Sequence, residues 1–408
     1  MSPLPKVVVV GAGAFGGWTA LSLRLQGADV TLIDAWGPGH ARASSGGETR
    51  IIRTTYGPRR IYTRLAARAL ELWKVHDDQW GHGCLTRSGA IWMSGEDDQF
   101  GRDSFAALEA EGIPAEWLDA KDAARRWPQV DFSGIKSVLL EPEAGFLHAR
   151  RACAAVVNRF ISLGGTYREA AVAPPEHPGT VRLTDGSIVP ADTVVYACGP
   201  WMGTLFPSVI GPRISPTRQV VHYFGVPDGD RSFSSPHFPI WLELGDTVMY
   251  GFPADEARGF KIADDTPGPL MDPTTDIRVI TEDDVSRVRE YLGRRFPAMA
   301  GAPWMSGEVC QYEATPDSHF IIDTHPETTR VWLLGGGSGH GFKMGPAIGE
   351  LMTAAVLGEV GPDPAFSLHR FSSFVSQRDQ GVDRRASPGR NPAGDSSDHQ
   401  HQKWHSHK

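Results

Sequence analysis

The chain has 408 residues, a formal net charge of −8, 40% hydrophobic residues and 22% charged residues. That length exceeds what one simple core serves, so two domains are expected. The acidic balance argues against a nucleic-acid-binding surface while allowing a locally cationic pocket, and no apolar run approaches the roughly 20 residues needed to cross a bilayer.

Lys6-Val-Val-Val-Val10 reads as a buried parallel strand, being a short β-branched run that ends in glycine. Gly11, Gly13 and Gly16 follow in G-x-G-x-x-G spacing, enclose Ala14 and Phe15, and open a helix. The first glycine permits a tight turn, the second lets a pyrophosphate approach the backbone, and the third lets the helix pack on the strand. The exposed amides and dipole of that helix N-terminus favour phosphate charge. A second strand over 30–33 ends at Asp34, about 20 residues on, where an acidic side chain binds the adenosine ribose hydroxyls. Next comes Ser44-Ser-Gly-Gly-Glu-Thr-Arg-Ile-Ile-Arg53, whose small residues permit close backbone approach to a ligand. If this segment is helical or turned, Arg50 and Arg53 fall near one face, suited to an anion; Ser44 and Arg50 are read as cofactor contacts.

A helix is expected over 62–77, and another over 150–163. Strands over 181–183, 187–189 and 193–197 then lead to Cys198-Gly199-Pro200-Trp201, with Gly199 and Trp201 as cofactor contacts. Between these pieces lie β-rich segments, 86–148 and 216–308, with candidate strands over 90–93, 219–224 and 248–252 and a helix over 282–295. Lys261 sits in apolar Gly259-Phe-Lys-Ile262, where burial makes its charge expensive unless it is needed. Further on, Cys310 lies upstream of Gly335-Gly-Gly-Ser-Gly-His-Gly-Phe-Lys343, a second glycine-rich loop between a strand over 331–334 and a helix over 346–356. Within it Gly337, Ser338, Gly339, His340, Gly341 and Lys343 are candidate cofactor contacts. Two dinucleotide-type signals near opposite ends of the chain suggest one long cofactor gripped at both ends, such as FAD, with Cys310 placed to bond to it. Lysine is scarce beside arginine, so Lys343 inside a glycine loop is unlike surface filler. From about residue 372 the chain turns polar and reads as a disordered tail; His399, His401, His405 and His407 could bind a metal weakly, but a solvated tail is preferred.

The fold class expected is therefore α/β. A discontinuous Rossmann-type FAD domain spans 1–85, 149–215 and 309–371, and a mixed β-sheet substrate domain spans 86–148 and 216–308. The four cysteines, Cys84, Cys153, Cys198 and Cys310, form no C-x-x-C pair and no metal-ligand spacing, so neither a disulfide framework nor a metal site is expected. With no charged n-region in residues 1–5, a cytoplasmic location is the expectation.

From about residue 5 to 365 the chain resembles the monomeric sarcosine oxidase and N-methyltryptophan oxidase group of flavoproteins, within the D-amino acid oxidase superfamily. The resemblance rests on Gly47-Glu-Thr-Arg-Ile-Ile-Arg53, Ala197-Cys-Gly-Pro-Trp201, Tyr250-Gly-Phe-Pro253, Cys310 with Tyr312, Thr315-Pro-Asp317, His319-Phe-Ile-Ile-Asp323 and Gly339-His-Gly-Phe-Lys343. It implies FAD joined to Cys310 by a thioether at the flavin 8α carbon, a substrate carboxylate gripped by Arg53 and Lys343, and oxygen reduction promoted by Lys261. Tyr250 and Tyr312 match aromatic positions near the substrate. The implied reaction is oxidation of the C–N bond of an N-methyl or cyclic amino acid to an imine, with oxygen reduced to hydrogen peroxide by a monomer that has no nucleic-acid or membrane partner. Two departures stand out: the sarcosine-specific members carry a histidine where Asp265 falls, and a histidine often precedes the Gly47 segment, where Gly46 stands. Both put sarcosine itself in doubt and favour a larger or more basic amine. Open alternatives are a flavin dehydrogenase with another acceptor, an NAD-dependent enzyme, and a non-catalytic flavin-binding protein.

Overall fold

In the computed structural model residues 4–371 are described, apart from 96–97 and 178; the expected tail over 372–408, with its histidines, lies outside them. A six-stranded sheet forms around the N-terminal strand in the order Ile321–His325, Thr328–Gly335, Thr193–Tyr196, Lys6–Val10, Asp29–Asp34, Thr166–Glu169. All its pairings are parallel except the one between Ile321–His325 and Thr328–Gly335. Val7, Val8 and Val9 have no exposed surface, as expected of a strand covered on both faces. The helices Ala14–Leu25, Ala149–Ser162 and Gly345–Val356 supply part of that cover, with Leu21, Val156 and Ile348 in one apolar cluster with Val7 and Val9. Burying each such side chain contributes about 1.5–3 kcal/mol.

The glycine spacing works as read. Gly11 has φ +104°, and a Cβ there would lie 2.3 Å from the Ala197 carbonyl oxygen; a Cβ on Gly16 would lie 1.9 Å from the Gly11 carbonyl oxygen. Strand, turn and helix can close together only without those side chains.

A second, eight-stranded sheet runs Trp304–Ala314, Ser215–Phe224, Phe260–Asp264, Met249–Phe252, Ile240–Leu244, Ala90–Ser94, Ser137–Glu141, Glu116–Asp119. Its mixed pairing matches the expectation, although the strands Ile240–Leu244 and Phe260–Asp264 and the helix Gln99–Ala110 were not foreseen. An aromatic cluster of Phe233, Phe238, Trp241, Phe260 and Phe296 packs against it, beside the helix Glu282–Arg295. The expected domain boundary at residue 309 falls inside the strand Trp304–Ala314, which pairs with Ser215–Phe224 as far as Ala314. That continuous antiparallel ladder keeps Cys310 and Tyr312 in the second sheet, at the edge facing the first. A small sheet of Thr49–Ile52, Gly145–His148 and Leu85–Thr86 lies beside them. Arg50 is therefore on a strand rather than a helix.

Candidate active site

Two adjoining cavities lie at the carboxyl ends of the parallel strands, where open α/β sheets bind ligands. The larger, of about 340 Å³, is lined by Gly11, Gly13, Ala14, Phe15, Asp34, Ser44, Arg50, Gly199, Trp201, Gly337, Gly339 and Gly341, all expected cofactor contacts. Cys310, His340 and Lys343 line the second cavity, of about 80 Å³, with Arg53, Tyr250, Lys261, Asp265 and Tyr312. Arg50, Gln311, Tyr312, Gly339 and Phe342 belong to both walls. Gly16 lies at the helix–strand contact, and Ser338, at φ 47°, turns its hydroxyl back to the Thr315 amide at 3.1 Å; neither lines a cavity. The His340 ring is held among Tyr56, Tyr62 and Phe320, with Nε2 2.9 Å from the Ser318 carbonyl oxygen.

The larger cleft suits a phosphate-bearing dinucleotide. The Ala14–Leu25 helix begins here with no side-chain cap from Gly13, and Ser45 Oγ accepts from the Ala14 amide at 2.9 Å. Asp34 is fixed at the ribose end by the amides of Ala12, Trp36 and Gly37, at 2.7–2.9 Å. Two lining atoms, Ser44 Oγ and Glu313 Oε2, are buried without a hydrogen-bond partner among the described residues. Buried polar atoms in that condition call for a partner the protein does not provide. The Arg50 guanidinium donates to the carbonyls of Ser44, Gly46 and Thr49 at 2.5–2.9 Å, closing the turn that forms the cleft wall.

In the smaller cavity the sequence brings cations together inside the protein. Arg53 is 3% exposed and lies over the rings of Tyr56 and Trp92, 4.2 and 4.7 Å from their centroids. Its backbone neighbours are anchored by Glu141, a buried carboxylate that the sequence reading missed. Glu141 accepts from the Thr54 amide at 2.6 Å, from the Thr54 and Thr55 hydroxyls, and from the Trp92 indole. An acid closing the apolar strand Ser137–Glu141 was the available signal. Lys343 Nζ donates to the His340 carbonyl at 2.9 Å, and burial, then Arg53, pushes its pKa well below the usual lysine range. Among the described residues neither Arg53 nor Lys343 has a carboxylate within ion-pairing distance. Asp265 faces the same space, its Oδ1 accepting from Tyr312 Oη at 2.7 Å. Burial raises the Tyr250 and Tyr312 phenols above their ordinary range, so both stay protonated.

Lys261 is 3% exposed, and its Nζ donates to the Thr49 carbonyl and hydroxyl at 3.1 Å. Burial, then Arg50, lowers its pKa to about 7. Both Arg50 and Lys261 interact electrostatically with Cys310, which lines the second cavity beside them. Cys84 and Cys153 lie outside that cavity, and burial raises their thiols to about 12. Arg50 and Arg53 do not act as one clamp: Arg50 borders both cavities, Arg53 the second alone.

A nucleotide cleft at the strand ends, joined to a small cavity rich in cations and aromatic rings, defines a dinucleotide-dependent oxidoreductase. Comparison makes the class specific: residues 6–355 match the FAD dependent oxidoreductase family, and the chain belongs to it. It is 31% identical over 376 residues to the monomeric sarcosine oxidase of Bacillus sp. (strain B-0618), covering 88% of this chain and 93% of that one. It is 30% identical over 376 residues to the N-methyl-L-tryptophan oxidase of Yersinia pestis (strain Pestoides F), covering 90% and 99%. The solved L-proline dehydrogenase from P. horikoshii shares the fold, with a TM-score of 0.77 at 20% identity over 92% of this chain and 99% of that one. No helix among the described residues is long and apolar enough to cross a membrane.

Proposed function

We propose that this protein oxidises the C–N bond of a secondary amino acid, N-methyl or cyclic, to an imine, and that oxygen is reduced to hydrogen peroxide. The observation that carries the reading is the pair of buried cations, Arg53 and Lys343, facing a shared cavity with Asp265. An amino acid zwitterion complements that charge pattern. Arg53 offers a bidentate fork to the carboxylate; the arriving carboxylate favours the charged form of Lys343, which then adds a second point charge, while Asp265 faces the ammonium. When bound, FAD accepts the hydride from carbon and delivers the two electrons to oxygen; the imine then hydrolyses in water. Asp265, where sarcosine-specific relatives carry histidine, favours a larger or more basic amine than sarcosine. The test is an anaerobic absorbance titration of the purified protein against N-methyl and cyclic amino acids. Bleaching of the flavin by a panel member supports the reading; bleaching by none removes it.

The amine must be neutral to release hydride. Anaerobic reduction at subsaturating substrate should therefore rise with pH, by about tenfold per unit below the substrate amine pKa. Following reduction alone keeps the profile clear of Lys261, whose charge is lost above about pH 7. A flat profile from about pH 6 to 9 would count against hydride transfer from a neutral amine.

Cys310, flanked by Arg50 and Lys261, is the proposed point of covalent attachment to FAD. Acid precipitation should leave the yellow colour in the pellet of the wild-type protein and in the supernatant of Cys310→Ser. Colour in the wild-type supernatant would remove the thioether while leaving the fold and cofactor untouched.

A further inference from the structure

Glu313 lies on the cofactor side of the strand Trp304–Ala314 and takes no part in the chemistry above. It is 8% exposed and lines the larger cleft. Its Oε1 accepts from the Gly337 amide at 3.1 Å and would lie 2.8 Å from any Cβ on Gly337. Its Oε2 is buried without a partner among the described residues. That oxygen lies 3.5 Å from where a Cβ on Gly199 would stand and 3.7 Å from one on Gly335. It therefore lies beside the ends of two parallel strands, Thr193–Tyr196 and Thr328–Gly335, in the wall of the larger cleft. Among the described residues no cation acts on it; burial, against the amides of Gly337 and Gly336, raises its pKa to about 7. A FAD pyrophosphate brings two further negative charges into this low-dielectric cleft, and like charges there disfavour ionisation again. An ionised Glu313 would be repelled, whereas the neutral acid has one O–H to donate.

We propose that Glu313 is held as a protonated carboxylic acid in the cleft and donates from Oε2 to an acceptor oxygen of the phosphate–ribityl chain of bound FAD, so that cofactor binding takes up a proton. The inference rests on the larger cleft being the FAD site. Cys198, from the loop after Thr193–Tyr196, is a titratable group that interacts with Glu313, and burial raises its thiol far above its ordinary range. From the glycine loop His340 and Lys343 face the second cavity. His40 also lines the cleft, so the experiment compares proteins that differ only at Glu313.

FAD is titrated into full-length apoprotein carrying Cys310→Ala, which keeps binding reversible, with Glu313 intact or replaced by Gln. With Glu313 intact, Kd should weaken by about tenfold per pH unit above about pH 7, roughly a hundredfold between pH 6 and 9. Calorimetry at about pH 8 in two buffers of different ionisation enthalpy should show uptake of close to one proton. Glu313→Gln keeps a donor and cannot ionise, so its affinity should be nearly independent of pH and its proton uptake lost. A pH-independent Kd with Glu313 intact overturns the proposal without any variant. The same slope in both proteins also overturns it, because the proton then belongs to a group other than Glu313. Loss of binding in Glu313→Gln at every pH would mean that an ionised carboxylate accepts from the cofactor, the opposite of the proposal. Failure of FAD to bind with Glu313 intact at any pH would remove the cofactor-site reading itself.

Discussion

Below about pH 7, where the amine is charged, replacing Lys261 with Met is expected to slow reoxidation by oxygen about a thousandfold while leaving anaerobic reduction by substrate nearly unchanged. The ammonium is buried, held by the Thr49 carbonyl and hydroxyl at 3.1 Å, and lies 4.4 Å from the Phe252 ring centroid. A positive charge about 4 Å from a developing superoxide, at an effective dielectric of about 20, contributes roughly 4 kcal/mol, or about three powers of ten in rate. Stopped-flow reoxidation and anaerobic reduction separate the two half-reactions. Equal losses in both would make Lys261 structural, and no loss in reoxidation would point to an acceptor other than oxygen. The same substitution should raise thermal stability. The folded pKa of Lys261, about 7, lies below the ordinary lysine value of 10.5, so the unfolded chain binds more protons between those pH values. The wild type therefore carries its full penalty below about pH 7 and recovers as pH rises towards 10.5. The Tm gain of Lys261→Met should be largest near pH 6.5 and shrink by pH 9.

The fold was legible where local chemistry and tertiary demand coincide. The G-x-G-x-x-G turn needs its glycines because Ala197 and Gly11 backbone atoms occupy the Cβ positions, and the run Lys6–Val10 announces a strand buried on both faces. The helix Glu282–Arg295 was read to the residue, with a Thr281–Asp284 capping box at its start and Arg294 and Arg295 in its last turn. Arg53, Lys261, Cys310 and Lys343, singled out through ordered motifs, all line the second cavity. What stayed hidden depends on neighbours distant in the chain. Arg50 follows a strand because Thr49–Ile52 pairs with Gly145–His148, a partner no local pattern names. The boundary expected at residue 309 falls within a strand because the ladder with Ser215–Phe224 runs on to Ala314, a pairing no local pattern names. Glu141 and Glu313 are acids within otherwise ordinary strands; only burial, and the donors or the gap around them, distinguish them from surface carboxylates. Ser338 looked like a cofactor contact by position, yet a positive φ aims its hydroxyl at Thr315.

Arg53→Met should lower kcat/KM for the amino acid substrate by roughly a thousandfold, mostly through weaker binding. Two charge-assisted hydrogen bonds to a carboxylate, at about 1.5–3 kcal/mol each, account for that loss. The guanidinium is placed before substrate arrives: Nη1 donates to the Thr55 carbonyl, and the Tyr56 and Trp92 rings sandwich it. Glu141 fixes Thr54 and Thr55 in turn, so little side-chain entropy remains to be lost on binding. The loss should stop short of complete. Arg53 is one of the groups that lower the Lys343 pKa, second to burial; without it Lys343 charges more readily and keeps a partial hold on the carboxylate. The decisive control is the same amine without its carboxylate. On that compound wild type and Arg53→Met should be equally slow, because the missing interaction is missing for both. If the variant instead loses as much on the decarboxylated amine as on the amino acid, Arg53 supports the cavity wall rather than the substrate, and the carboxylate grip must be sought at Lys343 alone.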